Sequence, residues 1–139
     1  MTDNNCIFCK IAGGDIPSST VYEDEQFRVI LDLSPATKGH ALILPKQHYA
    51  NIYEIDEMVL KDLIVLAKKV ALAMKETLKC DGVNIIQNNE EVAGQTVFHF
   101  HMHIIPRYKD DGQVIGWEPK TSDPEEQIQL AAKIGQAIK

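Results

Sequence analysis

Residues Phe98-His99-Phe100-His101-Met102-His103-Ile104-Ile105 alternate polar and apolar side chains with period two. In an extended strand that alternation puts His99, His101 and His103 on one face, successive rings about 7 Å apart, and Phe100, Met102 and Ile104 on the other. One face then packs into a core and the other carries a row of imidazoles. A lone histidine on a strand is ordinary surface. Three of the chain's 5 histidines packed so closely together point instead to chemistry near neutral pH, where imidazole takes protons and binds metals.

Two readings of the row compete. As metal ligands, the histidines call for carboxylates or further imidazoles converging from other segments, and this strand holds neither Asp nor Glu. As a nucleophile, neutral imidazole attacks phosphorus near pH 7 and then leaves readily, which splits one hard displacement into two easier ones. The loop from Asn88 to Thr96, just before the row, suits phosphate. Gly94 lets backbone N–H groups approach an anion, and Gln95 and Thr96 add side-chain donors. A surface turn is the ordinary explanation of such a loop; its position beside the histidines favours the phosphate reading.

Outward from the row, the pattern predicts an α+β domain: a mostly antiparallel five-stranded sheet under one long helix, with shorter helices at the termini. Cys6 to Ala12 reads as one or two helical turns stopped by Gly13-Gly14. Thr20 to Tyr22 and Phe27 to Leu31 form a hairpin about the acidic turn Glu23-Asp24-Glu25, and His40 to Leu44 is a strand closed by Pro45. Asp56 caps a long helix whose apolar stripe is Leu60, Leu63, Ile64, Ala67, Val70, Ala71, Met74 and Leu78, ended by Asp81-Gly82. Val83 to Ile86 and Val97 to Ile105 are the last strands, and a helix starts at Asp123 with Pro124 in its first turn.

A chain of 139 residues, 45% apolar, fits one domain over residues 1–139. No signal-like apolar stretch opens the chain and no run approaches the ~18 residues of a membrane span, so a cytoplasmic protein without a membrane partner is expected. A net charge of −6 argues against a nucleic-acid polymer, whose binding rests on a dense basic face, but leaves room for a small phosphorylated ligand. With 3 cysteines there is no disulfide framework, which leaves metal binding or free thiols. Cys6-Ile7-Phe8-Cys9 has the gap that lets both thiolates hold one metal, given two more ligands. A buried small hydrophobe is the reading of Cys80.

His99-Phe100-His101-Met102-His103-Ile104-Ile105 matches in full the His-φ-His-φ-His-φ-φ signature of the histidine-triad (HIT) superfamily, where φ is apolar. Ile16-Pro17, Leu31-Asp32-Leu33-Ser34-Pro35, Gly39-His40, Pro45-Lys46 and Gly94-Gln95-Thr96 resemble the Hint-like branch in order and spacing. The resemblance implies a HIT-like fold and a nucleotide hydrolase of the nucleoside phosphoramidase type. It makes His101 the nucleophile that becomes nucleotidylated, has His103 contact the phosphate, and puts His40 in the relay that sets the tautomer of His101. Asn88, Gly94, Gln95 and Thr96 would line the phosphate side and Asp32 would take the ribose hydroxyls, although an Asp before Ser-Pro is also an ordinary turn residue. Phe8, Ile16, Leu31, Leu33 and Leu42 would wall the base.

The resemblance to some bacterial members also implies a structural zinc held by Cys6, Cys9, His48 and His99, with Pro45-Lys46-Gln47-His48 supplying the third ligand. No metal would then be required for catalysis. A homodimer is implied as well, with the long helix and a sheet edge as contacts. Hydrolysis of dinucleoside polyphosphates, a metal-dependent hydrolase using the row as ligands, and a nucleotide-binding module with incidental turnover are the alternatives. The segment from Asp110 onward, including Trp117, departs most from the family pattern.

Overall fold

The structure is a computed structural model, and it describes residues 2–139. Helix α1 (Ile7–Ala12) leads into strands β1 (Thr20–Glu23), β2 (Phe27–Leu31) and β3 (Ala41–Pro45). Then come α2 (Glu57–Leu78), β4 (Gly82–Ile86), β5 (Met102–Arg107) and α3 (Pro124–Ala137). The strands form one sheet in the order β1-β2-β3-β5-β4, and every neighbouring pair is antiparallel. Among the described residues no helix is long and apolar enough to cross a membrane.

The period-two rule sorts the two faces. Phe27 and Val29 of β2, Ala41 and Ile43 of β3, and Met102 and Ile104 of β5 share one core with Leu63, Leu66, Ala67, Val70 and Met74 of α2. Burying each of the larger side chains contributes roughly 1.5–3 kcal/mol. The opposite face is thinner: Ile30, Leu42 and Leu44 pack with Ile11 and Ala12 of α1, flanked by Phe8 and Ile16. The α2 cap is as expected, with the Asp56 carboxylate accepting from the backbone N–H groups of Met58 and Val59, worth about 1 kcal/mol. The stripe is shifted at one place. Leu66 is buried, whereas Ile64, expected in the stripe, is 49% exposed.

Two boundaries differ from expectation. The helix stops at Leu78, three residues before Asp81, because Lys79 takes the left-handed conformation. The histidine strand begins at Met102 rather than Val97. Upstream of Met102 the chain bonds elsewhere: Phe100 N–H donates to the Tyr49 carbonyl at 2.6 Å, and the His99 ring donates to the Pro45 carbonyl at 2.8 Å. His99 and Phe100 are therefore held by the last residue of β3 and by the segment after it, outside the strand ladder. A short 3-10 turn, Glu91–Ala93, also interrupts the loop before them.

Candidate active site and metal cluster

The row of imidazoles lies on the α1 face, and register explains why. Ile30 of β2 faces Leu42 of β3, which faces His103 of β5, so these three side chains share that face. The rings of His101 and His103 meet edge-on with centroids 5.1 Å apart, and Phe8 meets His101 edge-on at 4.9 Å. His101 is buried. Burial is the main influence holding its pKa below the usual imidazole range, against the opposing pull of the His99 carbonyl and of Asp32.

Hydrogen bonds set the tautomers. The Nδ1 of His101 lies 2.6 Å from the His99 carbonyl oxygen; a carbonyl only accepts, so Nδ1 carries the hydrogen and Nε2 presents a bare lone pair. The Nδ1 of His40 accepts from the Ala36 backbone N–H at 2.9 Å. Its Nε2 therefore carries the hydrogen and donates to Nδ1 of His103 at 2.9 Å. That leaves the Nε2–H of His103 as the outward donor at the end of the chain Ala36, His40, His103. Burial drives His103 down to about 4, helped by the neighbouring imidazoles of His101 and His40 and opposed by Asp32, so it is a neutral donor at pH 7. His40 had been expected to set the tautomer of His101. It orients His103 instead, and a backbone carbonyl orients His101.

Gly39 makes this placement of His40 feasible. Its φ is +95°, and a Cβ there would come within 2.6 Å of the Leu78 side chain, so a side chain would be both strained and obstructed. Asp32 sits at the end of β2, where one carboxylate oxygen accepts from Ser34 N–H at 2.8 Å and the other is 3.6 Å from Nε2 of His40. The turn reading of Asp32 therefore holds for one oxygen, while the other lies toward His40.

Several expected site residues are placed differently. Leu31 is on the wrong face: it pairs with Ala41, alternates away from Ile30, and lines a groove with Leu66 and Met74 of α2. Ile30, 5% exposed and packed with Leu42 beside Phe8 and Ile16, shares the imidazole face instead. Parity with His103 would have identified it. Leu33 is 93% exposed. Gln95 is buried and fully occupied, accepting from Glu90 N–H at 2.7 Å and donating to the Ala50 and Val97 carbonyls, so it pins the loop rather than offering a donor. Gly94, at φ +100°, lies under the Asn88 amide, which a Cβ would meet at 3.3 Å. Thr96 is exposed.

At the other end of the row, Cys6, Cys9, His48 and His99 bring four ligand atoms within 4.8 Å of one another. The Cys9 sulfur is 3.3 Å from Nδ1 of His48 and 3.4 Å from Nδ1 of His99, and the Cys6 sulfur is 3.3 Å from Nδ1 of His99. Tetrahedral zinc sets sulfur and nitrogen ligands about 3.5 Å apart. Because His99 Nε2 donates to Pro45, its Nδ1 is the bare atom facing the sulfurs, and burial pushes its pKa to about 4. A neutral, oriented imidazole is what a metal requires. Cys80 is buried in the main core, away from this cluster.

The HIT domain family matches residues 13–110. The chain is 45% identical over 137 residues to the Bacillus subtilis protein hit, covering 96% of this chain and 94% of that one. It is 39% identical over 136 residues to the fission yeast adenosine 5'-monophosphoramidase hnt1, covering 97% and 99%. A Streptococcus mutans crystal structure superposes with TM-score 0.94 at 46% identity, over 99% of this chain and 88% of that one. A Zn-bound histidine triad family protein from Mycobacterium smegmatis superposes with TM-score 0.76 at 36% identity, over 96% and 98%. Imidazole row, sheet order and these likenesses agree, and the chain belongs to the HIT family.

Proposed function

We propose that this chain is a nucleotide hydrolase that cleaves nucleoside 5'-monophosphate conjugates, phosphoramidates foremost, at the α-phosphate through a covalent nucleotidyl-His101 intermediate. The observation that carries the reading is the tautomer of His101, whose Nδ1–H is tied to the His99 carbonyl so that Nε2 is bare. Its lone pair attacks the α-phosphorus as the bond to the leaving amine breaks, and the amine departs with a proton taken from solvent water. Water then displaces Nε2, releasing the nucleoside monophosphate and restoring neutral imidazole. The Nε2–H of His103, aimed by His40, donates to a phosphoryl oxygen. Phe8, Ile16, Ile30 and Leu42 form the apolar wall for the base, with Asp32 near the ribose. Asn88 and Gly94 lie on the phosphate side. The fission yeast and budding yeast relatives bear the name adenosine 5'-monophosphoramidase, which supports this substrate class over dinucleoside polyphosphates.

Zinc in the cluster of Cys6, Cys9, His48 and His99 would be structural, tying α1 to the end of β3 and to the row. Bound there, it would supply rigidity, leaving His101 and His103 for phosphate. Exposed Ile64, Val65 and Leu72 on α2 and Ile85 on β4 support a homodimer. Mass spectrometry after brief reaction with an adenosine phosphoramidate tests the mechanism: a nucleotidyl mass on the peptide containing His101 is expected. Turnover with no adduct on that peptide, even after a rapid alkaline quench that preserves the acid-labile N–P bond, would overturn it.

A further inference from the structure

A relay of two neutral imidazoles can run in either direction, because each ring carries one hydrogen and one bare nitrogen. Here the Ala36 N–H donates to Nδ1 of His40 at 2.9 Å. The hydrogen of His40 therefore sits on Nε2, Nδ1 of His103 accepts it at 2.9 Å, and His103 turns an N–H outward. With the hydrogen of His40 on Nδ1, every link would reverse and His103 would turn a bare nitrogen outward. An N–H stabilises a phosphoryl oxygen; a lone pair repels it. Asp32, 3.6 Å from Nε2 of His40, favours the first direction, and the Ala36 amide enforces it from the other side of the ring.

Ala36 belongs to a turn with no helix or strand to hold it, and the exit of β5 fastens that turn at three consecutive residues. The side-chain amide of Gln113 donates to the Ala36 carbonyl at 2.8 Å. The hydroxyl of Thr37, which is buried, donates to the Pro106 carbonyl. The hydroxyl of Tyr108 donates to the Lys38 carbonyl at 2.7 Å, while its ring packs against the main core. Gln113 is exposed, but its backbone is fixed on both sides. Arg107 donates to its carbonyl at 2.8 Å, and the Asp111 carboxylate, itself paired with Arg107, accepts from its N–H at 3.0 Å.

We propose that Tyr108 and Gln113 are positioning residues for the reaction: by tying the turn at Ala36 and Lys38 to the exit of β5, they keep the Ala36 N–H on His40 and so fix the direction of the relay that ends at His103. Both side chains act at one remove, through backbone carbonyls of the turn. The inference rests on the reading of His103 as the donor to a phosphoryl oxygen.

Nitrogen NMR of the full chain with 15N-labelled imidazoles, at pH 7, reads which ring nitrogen carries hydrogen, and steady-state kinetics with an adenosine phosphoramidate reads the consequence. In the unaltered chain both His40 and His103 should carry hydrogen on Nε2. Tyr108→Phe and Gln113→Met keep the shape of each side chain and remove its donor without adding charge. Each should lower kcat about two- to tenfold, the worth of one neutral hydrogen bond, with KM little changed. Combined, they should move a detectable share of His103 to the Nδ1–H form. Should the double variant unfold, the single variants carry the same two readouts. The proposal requires both changes together. A fall in kcat with the hydrogens unmoved would mark a merely structural loss, and moved hydrogens with full kcat would show that the direction of the relay does not matter; either result, or no change at all, overturns it. Hydrogen on Nδ1 of His103 in the unaltered chain would instead overturn the reading of His103 as the outward donor.

Discussion

His99 and His103 sit at the two ends of one row, in the same strand-like phase, and burial brings both to about 4. Their surroundings nonetheless separate them. His99 faces two sulfurs and the ring of His48, whereas His103 faces the ring of His40, with Asp32 close by. Thiolates and imidazoles so placed could hold a soft metal; imidazole and carboxylate make a hydrogen-bonding relay. Between them His101 is held by backbone alone, which leaves its second nitrogen free. The lesson is that identical residues at identical spacing acquire different chemistry from what distant segments bring to them.

The largest effect expected is at the centre. His101→Ala should lower kcat by about a thousandfold or more, as loss of a covalent nucleophile does elsewhere, while nucleotide binding by calorimetry persists; retained turnover would remove the nucleophile from the mechanism. Next, His40→Ala should cost roughly 10- to 100-fold in kcat, because His103 loses the donor that fixes its tautomer, with KM little changed. A loss equal to that of His101→Ala would mean the relay end is not subordinate to the centre.

The metal end should respond in stability rather than rate. Cys9→Ser should lower zinc content by elemental analysis and reduce the melting temperature by about 5 °C or more, in line with about 2 kcal/mol in a domain of this size, with turnover at 25 °C kept within a few-fold. Unchanged zinc stoichiometry would refute the four-ligand cluster. On the wall, Ile30→Ala should raise KM several-fold for the nucleotide and Leu31→Ala should not, since only Ile30 shares a face with His103; the reverse pattern would break the register argument.

The smallest effect is in acid. His103 binds its proton less readily folded than unfolded, so the unfolded chain holds more protons between the ordinary imidazole value of 6.5 and about 4. Stability from this group is complete above the upper value and is lost as pH falls through that window. The fall in melting temperature from pH 7 to pH 4 should be shallower in His103→Gln than in the unaltered chain, and identical slopes would show that its burial carries no such linkage.

Much of the site was legible because period two is a local property. The alternation of Phe100, Met102 and Ile104 with the histidines predicted which face is core, and the cysteine gap left metal binding or free thiols open until the fold brought His48 and His99 beside it. Asp56 announced the long helix. Other features depended on partners far away in the chain. The early start assigned to the histidine strand was wrong because Tyr49 and Pro45 take its backbone and ring bonds, and no local pattern shows that competition. Gln95 read as a free donor because the Ala50 carbonyl that occupies it is remote.

Sequence alone determined the family signature, the imidazole row and the opposition of an apolar and a polar face, since side-chain direction in an extended chain follows from position. Only the tertiary structure decided that His99 belongs with sulfur, that His40 serves His103, and that Ile30 rather than Leu31 shares the face of His103. Those outcomes rest on register between strands and on which carbonyl or ring reaches each nitrogen. Both are set by packing over the whole chain.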